Sequence, residues 1–169
     1  VDQQVTFACT ATDLLSGLAS TTCSSSSVPA WTLGLGPHPF SASASDRAGN
    51  LATSSTTVTV EVTFASLCNL TRTFSTRPRL ADKLCRLLDQ AAAARCCEGV
   101  EEALEEYREK VRKAARVEKG DDDGDGDEHG RRTPAFTPEQ ARALNGFARA
   151  LLPVECQEDE EHDRERRHD

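Results

Sequence analysis

Methionine is absent from the 169-residue chain, even at position 1, and only one tryptophan and one tyrosine are present. The missing initiator predicts a processed chain or a fragment of a longer protein. No apolar run approaches the ~20 residues that a membrane-spanning helix needs. No charged-then-apolar signal sequence opens the chain. We therefore expect no membrane insertion, and any export signal would lie upstream.

Motifs of the common enzyme classes are also missing. The chain has no Gly-x-Ser-x-Gly elbow, no phosphate-binding glycine loop and no His-Glu-x-x-His zinc pair. The net charge of −8 argues against nucleic acid, because phosphates require a basic surface. We therefore expect a protein that is not an enzyme, carries no cofactor and has no nucleic-acid partner.

Cysteine, by contrast, is abundant. The seven cysteines are Cys9, Cys23, Cys68, Cys85, Cys96, Cys97 and Cys156. No two of them have the CxxC spacing of zinc knuckles or thioredoxin-like redox sites. A high cysteine content without that spacing favours disulfides, which persist in oxidising compartments. The sequence thus predicts an extracellular location, either secreted or at the cell surface.

The composition changes about a third of the way along the chain. Residues 1–60 hold 21 Ser or Thr and only four charged side chains, whereas the later part is rich in Ala, Leu, Arg and Glu. A switch from strand-type to helix-type residues marks a domain boundary. We predict a β domain over 1–62, a helical domain over 63–153 with an acidic loop at 119–132, and a disordered charged tail at 154–169.

In the first domain, apolar and polar residues alternate with period two, as in half-buried antiparallel strands. Turn residues separate these strands. Gly49 can take a positive φ, while Asp13, Asp46 and Asn50 can bond nearby backbone amides. Three or four strands fit into this length, whereas an immunoglobulin-like β-sandwich has about seven. We therefore predict such a sandwich with its first strand missing.

In the second domain the apolar period becomes 3.6, which predicts four short amphipathic helices. The last helix begins at a capping box, Thr137–Gln140, with Pro138 at its first position. The predicted fold class is therefore α+β and multidomain, with a truncated antiparallel sandwich followed by a small four-helix module.

Several motifs of the first domain resemble the bacterial immunoglobulin-like repeats of the hyalin-repeat (HYR) type. The matching segments are Thr10–Asp13, Ser16–Gly17, Ser43–Asn50 and Thr56–Val60. The resemblance covers residues 1–62, and such repeats often carry a cysteine pair where Cys9 and Cys23 stand.

The second domain is similar to a small helical module found at the C-terminal end of secreted actinobacterial proteins. The similar segments are Phe64–Cys68, Leu84–Cys85 and Thr137–Ala141. This resemblance implies adhesion, spacing or substrate targeting for a larger extracellular protein.

The residues themselves also favour a Cys9–Cys23 disulfide. Cys9 shares the inward parity of Val5 and Phe7 on its strand, so a bridge is preferred over two buried thiols. The bridge would close a loop of 14 residues. In the chain-entropy model a loop of that length stabilises the folded state by roughly 3 kcal/mol.

A second bridge is expected between Cys68 and Cys85, which lie on adjacent predicted helices. Spacing does not determine the pairing of the other three cysteines, Cys96, Cys97 and Cys156. Cys96 and Cys97 are expected at the end of the second helix, and one of them could form a disulfide with Cys156. An odd count leaves a thiol free or paired between chains.

The acidic loop carries the first half of an EF-hand pattern. Asp121, Asp123 and Asp125, followed by Gly126, match positions one, three, five and six of such a loop. Arg132, however, stands at the closing position, where a bidentate Glu is required. The sequence favours a solvated loop, and weak Ca²⁺ binding by the three Asp residues is the alternative.

These observations predict a non-catalytic structural, adhesion or spacer module of a larger secreted or cell-surface bacterial protein. Its partner could be a cell-surface protein or a polysaccharide, and the sequence does not identify which. One alternative is an accessory module that targets an upstream hydrolase to polysaccharide, which needs exposed aromatic rings, whereas Trp31 is expected in the core. The other is calcium-dependent adhesion. Nothing in the sequence indicates the oligomeric state.

Overall fold

A computed structural model describes residues 1–116, 133–153 and 156. The fold is mixed α+β, and the described residues form two small antiparallel sheets and five helices. The chain divides into two compact units, Val1–Glu61 and Val62–Asp169. We call them the β unit and the helical unit.

The β unit contains five strands and a single helical turn. The elements are β1 (Gln4–Phe7), β2 (Leu18–Thr21), β3 (Ser26–Pro29), α1 (Ala30–Leu33), β4 (Gly36–Asp46) and β5 (Leu51–Val60). Strands β1 and β3 pair antiparallel as one sheet, and β2, β4 and β5 form the other in that order. Strands β4 and β5 therefore make one long hairpin, as their alternating Ala, Val and Ser/Thr residues predict.

The register of the hairpin places its apolar residues on one face. Phe40 stands opposite Thr56, and Ala44 stands opposite Ala52. The intervening positions of β4 and β5 are mostly Ser, Thr and Pro, and they point to the other face. The Phe7 ring of β1 meets the Phe40 ring with centroids 3.6 Å apart. The two sheets therefore contact each other through the apolar face of the hairpin.

Few side chains of the β unit are fully buried. Its buried hydrophobic residues are Val1, Ala30 and Val60. They lie where the chain closes on itself, since the Val1 nitrogen donates to the Glu61 carbonyl at 3.0 Å. Trp31, which was expected in the core, is only half-buried; in the one-turn helix α1 it is Ala30 that is buried.

Four helices form the helical unit within the described residues. They are α2 (Phe64–Phe74), α3 (Pro78–Ala93), α4 (Cys97–Ala114) and α5 (Pro138–Ala150). Helix α3 packs against α2 and α4, and α5 packs against α4 and α2. In the described part of the chain, no helix is both long and apolar enough to cross a bilayer.

Local sequence signals set the ends of these helices. The predicted capping box of α5 is confirmed, since Thr137 and Gln140 each bond the other's backbone amide. The expectation that Cys96 and Cys97 end the second helix was wrong. Ala94 already has an extended backbone, with ψ of 141°, and Cys97 is the first residue of α4.

The core of the helical unit contains a polar pair. Thr71 of α2 and Tyr107 of α4 are both fully buried, with their hydroxyl oxygens 2.7 Å apart. The Thr71 hydroxyl donates to the Leu67 carbonyl at 2.7 Å, so it accepts the proton of Tyr107. The pair is satisfied, and it links two helices inside a core whose other buried side chains, among the described residues, are apolar.

The two halves of this pair differ in what their removal leaves behind. Thr71→Val leaves the buried Tyr107 hydroxyl without its acceptor, which costs about 1–3 kcal/mol. Tyr107→Phe leaves Thr71 still donating to the Leu67 carbonyl, so we expect a smaller loss, about 1 kcal/mol. Urea unfolding followed by helical circular dichroism measures both, and a Thr71→Val variant no less stable than Tyr107→Phe would contradict this assignment.

Burial also makes the helical unit sensitive to alkali. Desolvation raises the pKa of Tyr107, with the Thr71 hydrogen bond opposing the shift more weakly. The folded protein then holds its phenol proton at pH values where the unfolded chain releases it. Stability from this residue is complete below the ordinary tyrosine pKa of about 10 and is lost as pH rises above it.

We expect the free energy of unfolding of the wild type to fall between about pH 10 and pH 11. In the Tyr107→Phe variant, which has no phenol to ionise, this free energy should fall less over the same range. Both proteins should carry Cys96→Ser, because Cys96 is a free, exposed cysteine and a free cysteine can exchange with disulfides. An equal alkaline decrease in the two proteins would show that Tyr107 is not its source.

Candidate functional site

The loop end of the β unit is held by an aspartate turn. The Asp13 carboxylate accepts the Leu15 amide at 2.9 Å and the Ser16 hydroxyl at 2.6 Å. These bonds lower the pKa of Asp13, that of Ser16 contributing most. The same Ser16 oxygen lies 3.0 Å from a carboxylate oxygen of Asp46. Because a hydroxyl has one proton, the two carboxylates share it.

The β4–β5 turn meets this loop. The Asp46 carboxylate accepts the backbone amide and the side-chain amide of Asn50, each at 2.7 Å. These two bonds lower the pKa of Asp46. Gly49 has a φ of 91°, which a residue with a side chain rarely adopts. The Arg47 amide donates to the Gly17 carbonyl at 3.0 Å and joins the two loops. The four turn residues taken from the sequence, Asp13, Asp46, Gly49 and Asn50, therefore lie at one end of the unit.

Two leucines project from this polar framework. Leu14 is 98% exposed and Leu15 is 100% exposed. The Leu15 backbone is nevertheless fixed by its bond to Asp13. A lone exposed leucine is ordinary on a protein surface, but two adjacent ones on a hydrogen-bonded turn form an apolar projection. We call Leu14 and Leu15 the leucine tip.

A cleft of about 460 Å³ opens beside the tip. The segment Cys9–Asp13 forms one wall, and the apolar face of the β4–β5 hairpin forms the floor. The floor stays open because Ala52 and Ser54 of β5 are exposed on that face. The volume falls in the range of small-ligand and peptide-side-chain pockets. Asp13, Asp46 and Asn50 line its polar end.

A disulfide holds the wall of the cleft. Cys9 and Cys23 are bonded, with Cα atoms 5.4 Å apart. The bridge ties the segment after β1 to the loop between β2 and β3. Both cysteines line the cleft. The bridge therefore limits how far this wall can move from the hairpin.

Two further disulfides lie in the helical unit. Cys68 and Cys85 join α2 to α3, with Cα atoms 5.0 Å apart. Of the three cysteines whose pairing the sequence left open, Cys97 bonds Cys156, with Cα atoms 5.2 Å apart. Cys96 is a free, exposed thiol. Cys97 begins α4 and is half-buried, whereas Cys96 precedes the helix.

The predicted calcium ligands Asp121, Asp123 and Asp125 lie outside the described residues. Within the described residues, no group of three or more His, Cys, Asp or Glu could hold a metal ion. Asp13 and Asp46 supply only two carboxylates, and both already accept hydrogen bonds from Ser16, Asn50 and backbone amides. Their visible role is to shape the turns.

Sequence reasoning missed two features of this end. Ser16 was noted as part of a turn, but its bond to Asp46, 30 residues away, depends on tertiary folding. The leucine tip had a local signal that was not used. Leu14 and Leu15 interrupt the alternation of the β domain and stand between the turn residues Asp13 and Ser16.

The polar framework predicts an acid-sensitive loop end. Asp46→Ala removes both acceptors for Asn50, so we expect a lower unfolding midpoint for the β unit, reported by the single Trp31. Asp46→Asn keeps one acceptor oxygen and should lose less. Because the folded-state pKa of Asp46 is lowered, its stabilisation is present above the unfolded pKa of about 4 and is lost as pH falls through the lower folded value.

The difference in unfolding midpoint between wild type and Asp46→Ala should therefore become smaller below about pH 4. Arg47→Ala is the matched control, because Arg47 joins the loops through its backbone amide, which the substitution leaves in place. If the gap keeps its size through the acid range, or if Arg47→Ala lowers the midpoint equally, the Asp46 carboxylate does not hold this turn.

Comparisons with known proteins assign no family to the chain. No protein-family model matches it, and neither does any curated protein or solved structure. The resemblance of residues 1–62 to HYR-type repeats and that of the later residues to an actinobacterial helical module therefore remain predictions from sequence motifs.

Proposed function

We propose that this chain is a non-catalytic adhesion module of a larger extracellular bacterial protein, and that the leucine tip is its contact surface. In this proposal the β unit is an incomplete immunoglobulin-like sandwich and the helical unit is a compact end module. Three disulfides among the described residues support an extracellular setting, because such bonds persist in oxidising compartments.

The observation that carries the proposal is the near-complete exposure of Leu14 and Leu15 on a fixed turn. Burying a leucine side chain against a partner contributes about 1.5–3 kcal/mol. A preorganised turn loses little conformational freedom on binding, so more of this contribution remains as affinity. The adjacent cleft can accept a side chain of the partner.

The partner favoured by this chemistry is a protein. The tip is apolar and uncharged, and the open floor of the cleft is formed by Ala, Ser and Thr. A cell-surface protein with an exposed apolar side chain would fill the cleft and cover the tip together. A polysaccharide would instead favour exposed aromatic rings, and none of the residues that line this cleft is aromatic.

The test compares two single leucine substitutions of the same chemistry. Leu15→Ser changes the tip, and Leu35→Ser changes a leucine that is 39% exposed at the opposite end of β4. Labelled chain is sedimented with actinobacterial cells, and with the same cells after protease has removed their surface proteins. We expect binding to intact cells only, weakened about tenfold by Leu15→Ser and unchanged by Leu35→Ser.

Three results would contradict the proposal. Equal binding by wild type and Leu15→Ser would exclude the tip as the contact. Undiminished binding to protease-treated cells would point to a glycan instead of a protein. Turnover of a peptide, ester or glycoside substrate by the isolated chain would exclude a purely non-catalytic role.

A further inference from the structure

Strand β5 forms one edge of the larger sheet of the β unit. Its ten residues pair with β4 in an unbroken antiparallel register. Among the described residues, no strand pairs with its other side. Residues 51–57 of this strand are all exposed. A strand edge in this position presents a row of backbone donors and acceptors. We call residues 51–57 the open edge.

A hydrogen bond at the hairpin turn shows which residues direct their backbone groups to the open edge. The Asp46 amide donates to the Asn50 carbonyl at 3.1 Å, so these two residues form a hydrogen-bonded pair. Hydrogen-bonded and non-hydrogen-bonded pairs alternate along an antiparallel ladder. The even-numbered residues of β5 therefore bond β4. The odd-numbered residues, among them Thr53, Ser55 and Thr57, direct their N–H and C=O groups to the open edge.

The prolines of β4 agree with this alternation. Residues 36–42 of β4 pair with β5 but, within the described part of the chain, not with β2, so the far side of this stretch is also open. Pro37 and Pro39 stand there at odd-numbered positions, whose N–H groups would face that far side. Proline is tolerated in a strand only where no ladder hydrogen bond is lost. These two prolines leave the far side of β4 poorly suited to a further strand.

Proteins commonly protect strand edges with prolines, charged side chains, bulges or short length. Strand β2 has four residues and a register shift between Leu18 and Ser20. Strands β1 and β3 have four residues each. Strand β5 has ten residues, and its sequence contains no proline, no glycine and no charged side chain. Among the described strands, β5 therefore combines a long open edge with none of these protections.

The chemistry of the open edge indicates what can cover it. A row of backbone donors and acceptors with the spacing of a strand is matched by another extended strand. Because the open edge carries no charge, a second copy of it meets no repulsion between like charges. Ser and Thr side chains also form favourable cross-strand pairs with one another. The open edge is therefore complementary to itself in an antiparallel arrangement.

We propose that the chain forms a twofold dimer in which the open edges of two copies pair antiparallel. A twofold axis at Ser54, the centre of the open edge, pairs Thr53 with Ser55 of the second copy. It also pairs Leu51 with Thr57 of the second copy. Both pairs join odd-numbered residues, as the alternation of backbone groups requires. Leu51, which is 71% exposed in the single chain, gains a neighbour across the interface.

Pairing through this edge ends at two copies. The joined sheet has six strands, and its outer edges are the β2 strands of the two copies. A short strand with a register shift is a poor template for a third copy. The interface also uses the same patch on both copies, so no open edge is left for a filament. The dimer does not use the leucine tip, and the two proposals can therefore fail separately.

Sedimentation equilibrium of the full chain tests for the dimer. All proteins carry Cys96→Ser, so that the exposed thiols of two copies cannot form a disulfide. We expect a reversible dimer whose population rises with protein concentration. Ser55→Lys should raise the dissociation constant about tenfold or more, because pairing brings the two Lys side chains close together at the axis.

Ser41→Lys is the matched control. Ser41 is exposed and stands opposite Ser55 on β4, so the substitution adds the same charge one strand away from the open edge. In the dimer the two added Lys residues are separated by three strand spacings, about 14 Å, which is beyond the screening length of about 8 Å at physiological salt. The dissociation constant should therefore change little.

Two further variants complete the set. Ser55→Pro removes an N–H that faces the open edge without removing a bond to β4, so it should also prevent the dimer while the single chain stays folded. Leu15→Ser changes the leucine tip and should leave the dimer unchanged. Circular dichroism and the fluorescence of Trp31 show whether each variant is folded.

Amide hydrogen exchange detects the interface directly. The amides of Thr53, Ser55 and Thr57 should exchange rapidly in dilute solution. Their exchange should slow about tenfold once about nine in ten chains are dimeric, since they then exchange only from the unpaired edge. The amides of Ser54 and Thr56 bond β4 and should be protected at both concentrations.

A folded chain that stays monomeric up to its solubility limit overturns the proposal. So does a dimer that Ser55→Lys and Ser41→Lys weaken equally, because the charge effect would then not depend on the open edge. A dimer lost with Leu15→Ser would place the contact at the leucine tip. A dimer that leaves the exchange of Thr53, Ser55 and Thr57 unchanged would place it elsewhere in the chain, and association beyond two copies would contradict the twofold closure.

Discussion

Disulfide cross-links stabilise both units, one in the β unit and two in the helical unit, where Cys68, Cys85 and Cys156 are buried. The β unit has only three buried hydrophobic residues, so the Cys9–Cys23 bridge is an important link between the cleft wall and the rest of the unit. The three bridges close loops of 14, 17 and 59 residues. In the chain-entropy model such loops contribute roughly 3, 3 and 4 kcal/mol, a large share of the stability of a small domain.

The loop end of the β unit has a fixed backbone and exposed apolar side chains. Asp13, Ser16, Asp46 and Asn50 satisfy one another and the turn amides, so the polar atoms form a framework. Leu14 and Leu15 are left outside it. Polar bonding thus fixes the backbone while the apolar side chains stay in solvent, the arrangement that a preformed contact surface requires.

The helical unit shows why net charge can mislead. A value of −8 for the chain argues against a nucleic-acid partner. The fold, however, places Arg108, Arg112, Arg116 and Arg142 along one cleft between α4 and α5. The Coulomb interaction weakens with distance and is screened by salt beyond about 8–10 Å, so the net charge of a whole chain does not describe the charge of each local surface.

Periodicity and local chemistry determined the α+β composition, the long hairpin, the Thr137 capping box and the positive φ of Gly49, because each depends on residues that are neighbours in sequence. The Cys9–Cys23 pair could also be predicted from the sequence, because Cys9 lies on the inward-facing side of its strand. Tertiary structure alone decided that Cys97 and not Cys96 bonds Cys156, that Ser16 meets Asp46, and that Arg108 and Asn145 share a cleft. These contacts join residues 30 to 59 positions apart in the first two cases and two different helices in the third. Their geometry is set by how whole elements pack, and no local pattern of side chains records it.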